Sequence, residues 1–109
     1  MQLISRLDLQ RKLDEGEDLK LVCALKEWAF RAMHIPGSFH IDGPGLVAEL
    51  LDTDDQIVVY CTNVNCVASV MAYDRLVESG YSNVWRYAGG LEDWESAGLP
   101  LAGEPVRPE

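Results

Sequence analysis

Cys61 opens the stretch C-T-N-V-N-C-V-A-S, which runs to Ser69 directly after the apolar run Ile57-Val58-Val59-Tyr60. A helical pattern follows, with Val70, Met71, Tyr73, Leu76 and Val77 ahead of Gly80. Strand, short loop and helix start in that order place one thiol at the C-terminal end of a sheet, where open α/β sheets bind ligands. Loop amides and the positive end of a helix favour anions there. They also favour thiolate over thiol, and the thiolate is the nucleophile. Cys66, five positions on, is either a packed loop residue or a resolving thiol that attacks a persulfide or sulfenate on Cys61. Thr62, Asn63 and Asn65 offer polar side chains to a ligand, although solvated loop residues look the same. Ser69 is expected as the N-cap of the following helix. Cys23 stands among apolar residues and reads as core.

The elements that must position this loop alternate along the chain. Ser5 is expected to cap a helix carrying Leu7, Leu9 and Leu13, ending near Gly16. Leu19-Lys20-Leu21-Val22-Cys23 reads as a strand, and residues 26–33 as a short helix with Phe30 turned inward. His34-Ile35-Pro36-Gly37 breaks that helix, and residues 38–41 suggest a brief strand. A helix over residues 44–51 carries Leu46, Val47, Leu50 and Leu51, with Pro44 at its start. Asn83 to Tyr87 supplies another strand, and Gly89-Gly90 opens a last helix through Trp94. The runs at Leu19 and Ile57 are continuously apolar, which suggests parallel strands covered on both faces. The expected architecture is a three-layer α/β/α sandwich.

Composition narrows the function classes. At 109 residues the chain is expected to form one domain, residues 1–102, with a flexible tail over residues 103–109. The net charge of -9 argues against nucleic acid, because neutralising phosphates needs clustered Lys and Arg. No apolar run approaches the roughly 20 residues of a membrane span. Met1 to Arg6 does not read as a secretory signal, so a reducing cytoplasm is the expected compartment. His34 reads as a structural histidine whose ring ties down the following turn, and Trp94, Trp28 and Phe30 read as core.

An ordered set of motifs is similar to the single-domain rhodanese, or sulfurtransferase, family. H-I-P-G-S at residues 34–38 resembles that family's H-I-P-G-A, and V-V-Y-C at residues 58–61 resembles its strand leading to the active-site cysteine. G-Y-x-N-V from Gly80, G-G-L-E-D-W from Gly89 and A-G-L-P from Ala97 resemble its C-terminal half. The resemblance implies a mainly parallel, roughly five-stranded sheet and sulfane sulfur carried as a persulfide on Cys61. It implies a substrate-binding loop of Thr62, Asn63, Val64, Asn65, Cys66, Val67, Ala68 and Ser69, and no metal or organic cofactor. The donor would be a small persulfide or thiosulfate, and the acceptor a thiol or a protein.

Two departures from that pattern bear on specificity. The family's Asp-x-Arg after the first strand is Cys23-Ala24-Leu25 here. Its C-x-x-G-x-R-S loop is longer by two residues here, its basic position falls on Ala68, and no Lys or Arg stands between Cys61 and Ser69. The loop resembles a subgroup with the pattern C-x4-C-x2-S. The missing cation suggests that thiosulfate is a poor donor. Three other classes stay open: thiol-based redox using Cys61 and Cys66, a phosphatase or arsenate reductase, and a non-catalytic binding module. The second of these ordinarily needs a loop Arg to grip the oxyanion.

Overall fold

Ser5 starts the first helix in the expected way: its Oγ accepts the amide hydrogen of Asp8 at 3.1 Å, and α1 (Arg6–Asp14) follows. The computed structural model describes residues 1–16, 18–24, 27–40, 52–62 and 67–102, without the side chains of residues 27–29. The expected helix over residues 44–51 and the tail over residues 103–109 lie outside the described residues. Beyond α1 come β1 (Leu19–Cys23), α2 (Glu27–Ala32), β2 (Phe39–His40) and β3 (Gln56–Tyr60). Then follow α3 (Val67–Glu78), β4 (Val84–Tyr87) and α4 (Gly90–Ser96).

The four strands form one sheet in the order β2-β1-β3-β4, and every pairing is parallel. The roughly five strands expected are thus four among the described residues, with a single further parallel bridge of Leu3 to Arg86. There the Ile4 amide donates to the Arg86 carbonyl at 3.0 Å, and the Arg86 amide donates to the Gln2 carbonyl at 2.9 Å. The chain's first residues therefore cover the outer edge of β4, which would otherwise expose unpaired backbone.

Side-chain alternation divides the core in two. On one face Leu21, Cys23, Val58, Tyr60 and Tyr87 pack with Leu9 of α1 and with Leu91 and Trp94 of α4, and Phe30 of α2 lies against them. On the other, Val22, Ile57, Val59 and Val84 pack with Tyr73 and Leu76 of α3. Both faces of the central strands are covered, which is why their sequences are continuous apolar runs. The result is the α/β/α layering expected from the alternation of elements. Among the described residues no helix is long and apolar enough to cross a membrane.

Candidate active site

β3 is the inner strand between β1 and β4, and Cys61 is the first residue beyond its C-terminal end. Its backbone is held from the side by α4. The amide of Leu91 donates to the Cys61 carbonyl at 2.9 Å, and the amide of Glu92 donates to the Thr62 carbonyl at 2.8 Å. These are first-turn amides with no partner inside their own helix, so α4 caps itself on the strand end. Gly90 makes that approach feasible. Its φ is +62°, and a Cβ there would overlap the Cys61 carbonyl oxygen and come within 2.8 Å of the Thr62 carbonyl. The remainder of the G-G-L-E-D-W motif fixes α4 in place. Asp93 accepts from Tyr87 Oη at 2.6 Å and from Arg6 at 3.2 Å, and the Trp94 indole donates to the Pro100 carbonyl at 2.8 Å.

The H-I-P-G-S turn is tied to the residue just before the thiol. The amide of Ile35 donates to Tyr60 Oη at 3.0 Å, and Ser38 Oγ lies 2.7 Å from the same oxygen. Ser38 also donates to the Ile35 carbonyl at 2.7 Å. Burial pushes the Tyr60 hydroxyl well above the ordinary tyrosine range, and the neighbouring Cys23 thiol adds to the effect. His34 ties the chain in the opposite direction from that expected. Its Nδ1 lies 2.7 Å from the Phe30 carbonyl at the end of α2, and its ring stacks on Phe30 with centroids 4.1 Å apart. The following turn is held by Tyr60 instead, because a buried hydroxyl sits directly beneath it.

The sequence-derived site residues fall into three groups. Cys61 is buried at 1% exposure and disulfide-bonded, whereas Cys23 is a buried thiol outside any disulfide, beside the Tyr60 hydroxyl. Thr62 is exposed beside it. Asn63, Val64, Asn65 and Cys66 lie outside the described residues. Val67, Ala68 and Ser69 are not loop residues but the first turn of α3. This corrects the expectation for Ser69, which is not the N-cap. It lies inside the helix at 1% exposure, and its Oγ accepts from Arg86 Nε at 2.9 Å. A serine near a helix start is ambiguous in sequence. Here a buried cation claims its oxygen, so the hydroxyl faces the sheet rather than the helix's free amides.

Arg86 is the residue that sequence reasoning missed. It lies on β4 opposite Val59 and is only 8% exposed. The signal was a charged residue in the strand pattern N-V-W-R-Y, at a position whose neighbours two apart face a covered layer. The loop itself carries no Lys or Arg, yet a guanidinium reaches the start of α3 from the adjacent strand.

Comparison with known proteins agrees with this geometry. The model of the rhodanese-like domain family matches residues 5–97. The thiosulfate sulfurtransferase GlpE of Actinobacillus succinogenes is 36% identical over 67 residues, which are 60% of this chain and 59% of that protein. The chain thus matches about three fifths of that relative's length. The GlpE protein of Pseudomonas syringae is 38% identical over 71 residues, 62% of this chain and 64% of its own. Among solved structures, a protein of Bacillus halodurans superposes with a TM-score of 0.86 at 23% identity, covering 94% of this chain and 77% of its own. The rhodanese-like domain of an Anabaena protein superposes with a TM-score of 0.83 at 20% identity, covering all of this chain and 88% of its own. At those identities the structural likeness establishes the fold alone.

Proposed function

The chain belongs to the rhodanese-like domain family, and from that premise we propose that it is a sulfurtransferase carrying sulfane sulfur on Cys61. The observation that carries the proposal is the placement of Cys61 at the end of inner strand β3, with its backbone pinned by first-turn amides of α4. Relatives named thiosulfate sulfurtransferase support the reaction class. The Cys61 thiolate attacks the outer sulfur of a donor R–S–SH or of thiosulfate. The new S–S bond forms at Cys61 as the donor's S–S bond breaks, and the thiol or sulfite leaves with the electron pair. An acceptor thiolate then attacks the outer sulfur of the Cys61 persulfide and releases the Cys61 thiolate. Amides of the segment after Cys61 and of the first turn of α3, over residues 62–69, stabilise the charge on the transferring sulfur, and no cofactor enters the reaction.

A thiol persulfide suits this site better than thiosulfate. No Lys or Arg stands between Cys61 and Ser69 to hold a divalent anion at the mouth. The reading takes the cytoplasm as the compartment, where donor thiols stay reduced. One observation favours a redox role beside sulfur transfer. Cys61 is disulfide-bonded and Cys23 stands outside any disulfide, which supports the reading of Cys66, the chain's third cysteine, as a resolving thiol.

The deciding measurement is intact mass of the reduced protein after incubation with glutathione persulfide, thiosulfate or phosphate-ester substrates. The expected outcome is addition of one sulfur from the persulfide, less from thiosulfate, and none in Cys61→Ser. A phosphate adduct, or no adduct at all, would replace this reading with the phosphatase or the non-catalytic binding module.

A further inference from the structure

Arg86 is a charged side chain at 8% exposure, and nothing in the loop sequence calls for it. Its backbone is held on both edges, by pairing with Val59 of β3 on one side and by Gln2 and Ile4 on the other. The side chain therefore leaves from a fixed point. Alternation sends it to the same face as Val84 and Val59, toward α3. There its Nε donates to Ser69 Oγ at 2.9 Å, in the first turn of the helix. Every buried side-chain nitrogen and oxygen among the described residues has a partner, so the guanidinium is housed rather than trapped.

Continued one residue past Tyr60, the alternation of β3 puts Cys61 on that face as well. It stands two residues beyond Val59, the register partner of Arg86. Two strand residues advance about 6.6 Å and neighbouring strands lie about 4.8 Å apart, which sets the two Cα atoms about 8 Å apart. A guanidinium keeps its charge at every working pH. From this position it adds to the positive end of α3 while the hydrogen bond to Ser69 holds it against the helix's first turn.

We propose that Arg86 is a positioning residue that replaces the missing loop cation: from the strand beside β3, it favours the anionic form of Cys61 without touching the donor. The inference deepens the sulfurtransferase reading and rests on Cys61 being the nucleophile. It also gives that site a substrate preference. A cation on the neighbouring strand activates the thiolate toward any electrophilic sulfur. One at the mouth would instead select anionic donors.

The test is the rate of iodoacetamide alkylation at Cys61 across pH 5 to 9, read by peptide mass on the reduced full chain. Far-UV circular dichroism verifies the fold of each variant. Arg86→Met should raise the midpoint by about one pH unit, as expected when a nearby opposite charge is lost. Its rate at pH 6.5 should fall roughly five- to tenfold. Arg86→Lys should recover most of the shift, because the charge remains. A folded Arg86→Met with the wild-type midpoint overturns the proposal, as does an Arg86→Lys that behaves like Arg86→Met. Should Arg86→Met fail to fold, Ser69→Ala decides: it removes the tie that holds the guanidinium against the first turn of α3, so its midpoint should rise by a smaller amount, and an unchanged midpoint overturns the proposal. Sulfur loading from glutathione persulfide and from thiosulfate should fall by one common factor in Arg86→Met. A loss confined to thiosulfate would mean that Arg86 grips the donor, contrary to the proposal. Alkylation does not require sulfur transfer. A wild type with an Arg86-dependent midpoint that never gains sulfur would therefore sustain this inference while removing the sulfurtransferase reading.

Discussion

Tyr60 joins three parts of the molecule through one buried oxygen. It precedes Cys61, accepts the Ile35 amide hydrogen, and touches Ser38 of the turn. Removing the hydroxyl in Tyr60→Phe leaves the fully buried Ile35 N–H without that partner. The expected cost is about 1–3 kcal/mol in urea unfolding at pH 7. The same substitution should change the alkaline limb of stability. Burial raises the folded-state pKa of Tyr60 above the unfolded value near 10. Below that value both states hold the proton and the group contributes no slope. Above it the unfolded chain ionises first, so stability falls as pH rises toward the folded-state pKa, by about 1.4 kcal/mol per pH unit for one group. Tyr60→Phe should flatten the decline above pH 10 by that amount. A Tyr60→Phe chain with the wild-type alkaline slope would show that the hydroxyl is not neutral and buried in the folded state.

At the scale of elements, the site is a contact between α4 and the end of β3, and Gly90 is where they touch. Gly90→Ala combines a left-handed backbone with overlap onto the Cys61 and Thr62 carbonyls. Gly98 is a built-in control, because its φ is +74° but nothing lies within 4 Å of a Cβ there. Gly98→Ala should lose about 1–2 kcal/mol from backbone conformation alone. Gly90→Ala should lose about 3 kcal/mol or more and also slow Cys61 alkylation, because the strand end must move. Equal losses in urea unfolding, with equal alkylation rates, would show that α4 gives way without disturbing the thiol.

This contact also marks the limit of what the sequence reveals. Leu19–Cys23 and Gln56–Tyr60 were readable as buried strands because both their faces are covered and their composition says so. Cys61 was readable because strand and helix patterns flank it. Residue types do not encode distance, however, so the amides of Leu91 and Glu92 on the carbonyls of Cys61 and Thr62 were not. Ser69 was misplaced for a related reason: a cap and a buried tie use the same hydroxyl. Only the layer facing Arg86 decides between them.

At the scale of the whole molecule, the local and global fields at the site have opposite signs. Asp and Glu number 18 against 9 Lys and Arg, giving a net charge of -9. One of these acids is close at hand, since exposed Glu92 has its amide on the Thr62 carbonyl at 2.8 Å. A divalent anion approaching from solvent meets the global repulsion first. It gains from the loop amides and the start of α3 only at contact. Salt separates the two effects. The screening length is about 30 Å at 0.01 M and about 8 Å at 0.15 M, so salt removes the long-range repulsion and leaves contact interactions largely intact. The kcat/KM for thiosulfate should therefore rise roughly two- to fivefold between about 0.01 M and 0.15 M salt. The alkylation rate with uncharged iodoacetamide should stay level over the same range, which excludes a salt effect on the thiolate itself. A thiosulfate rate that falls with salt would mean that the field at the mouth is positive. The donor preference argued from the loop's missing cation would then fail, whatever species accumulates on Cys61.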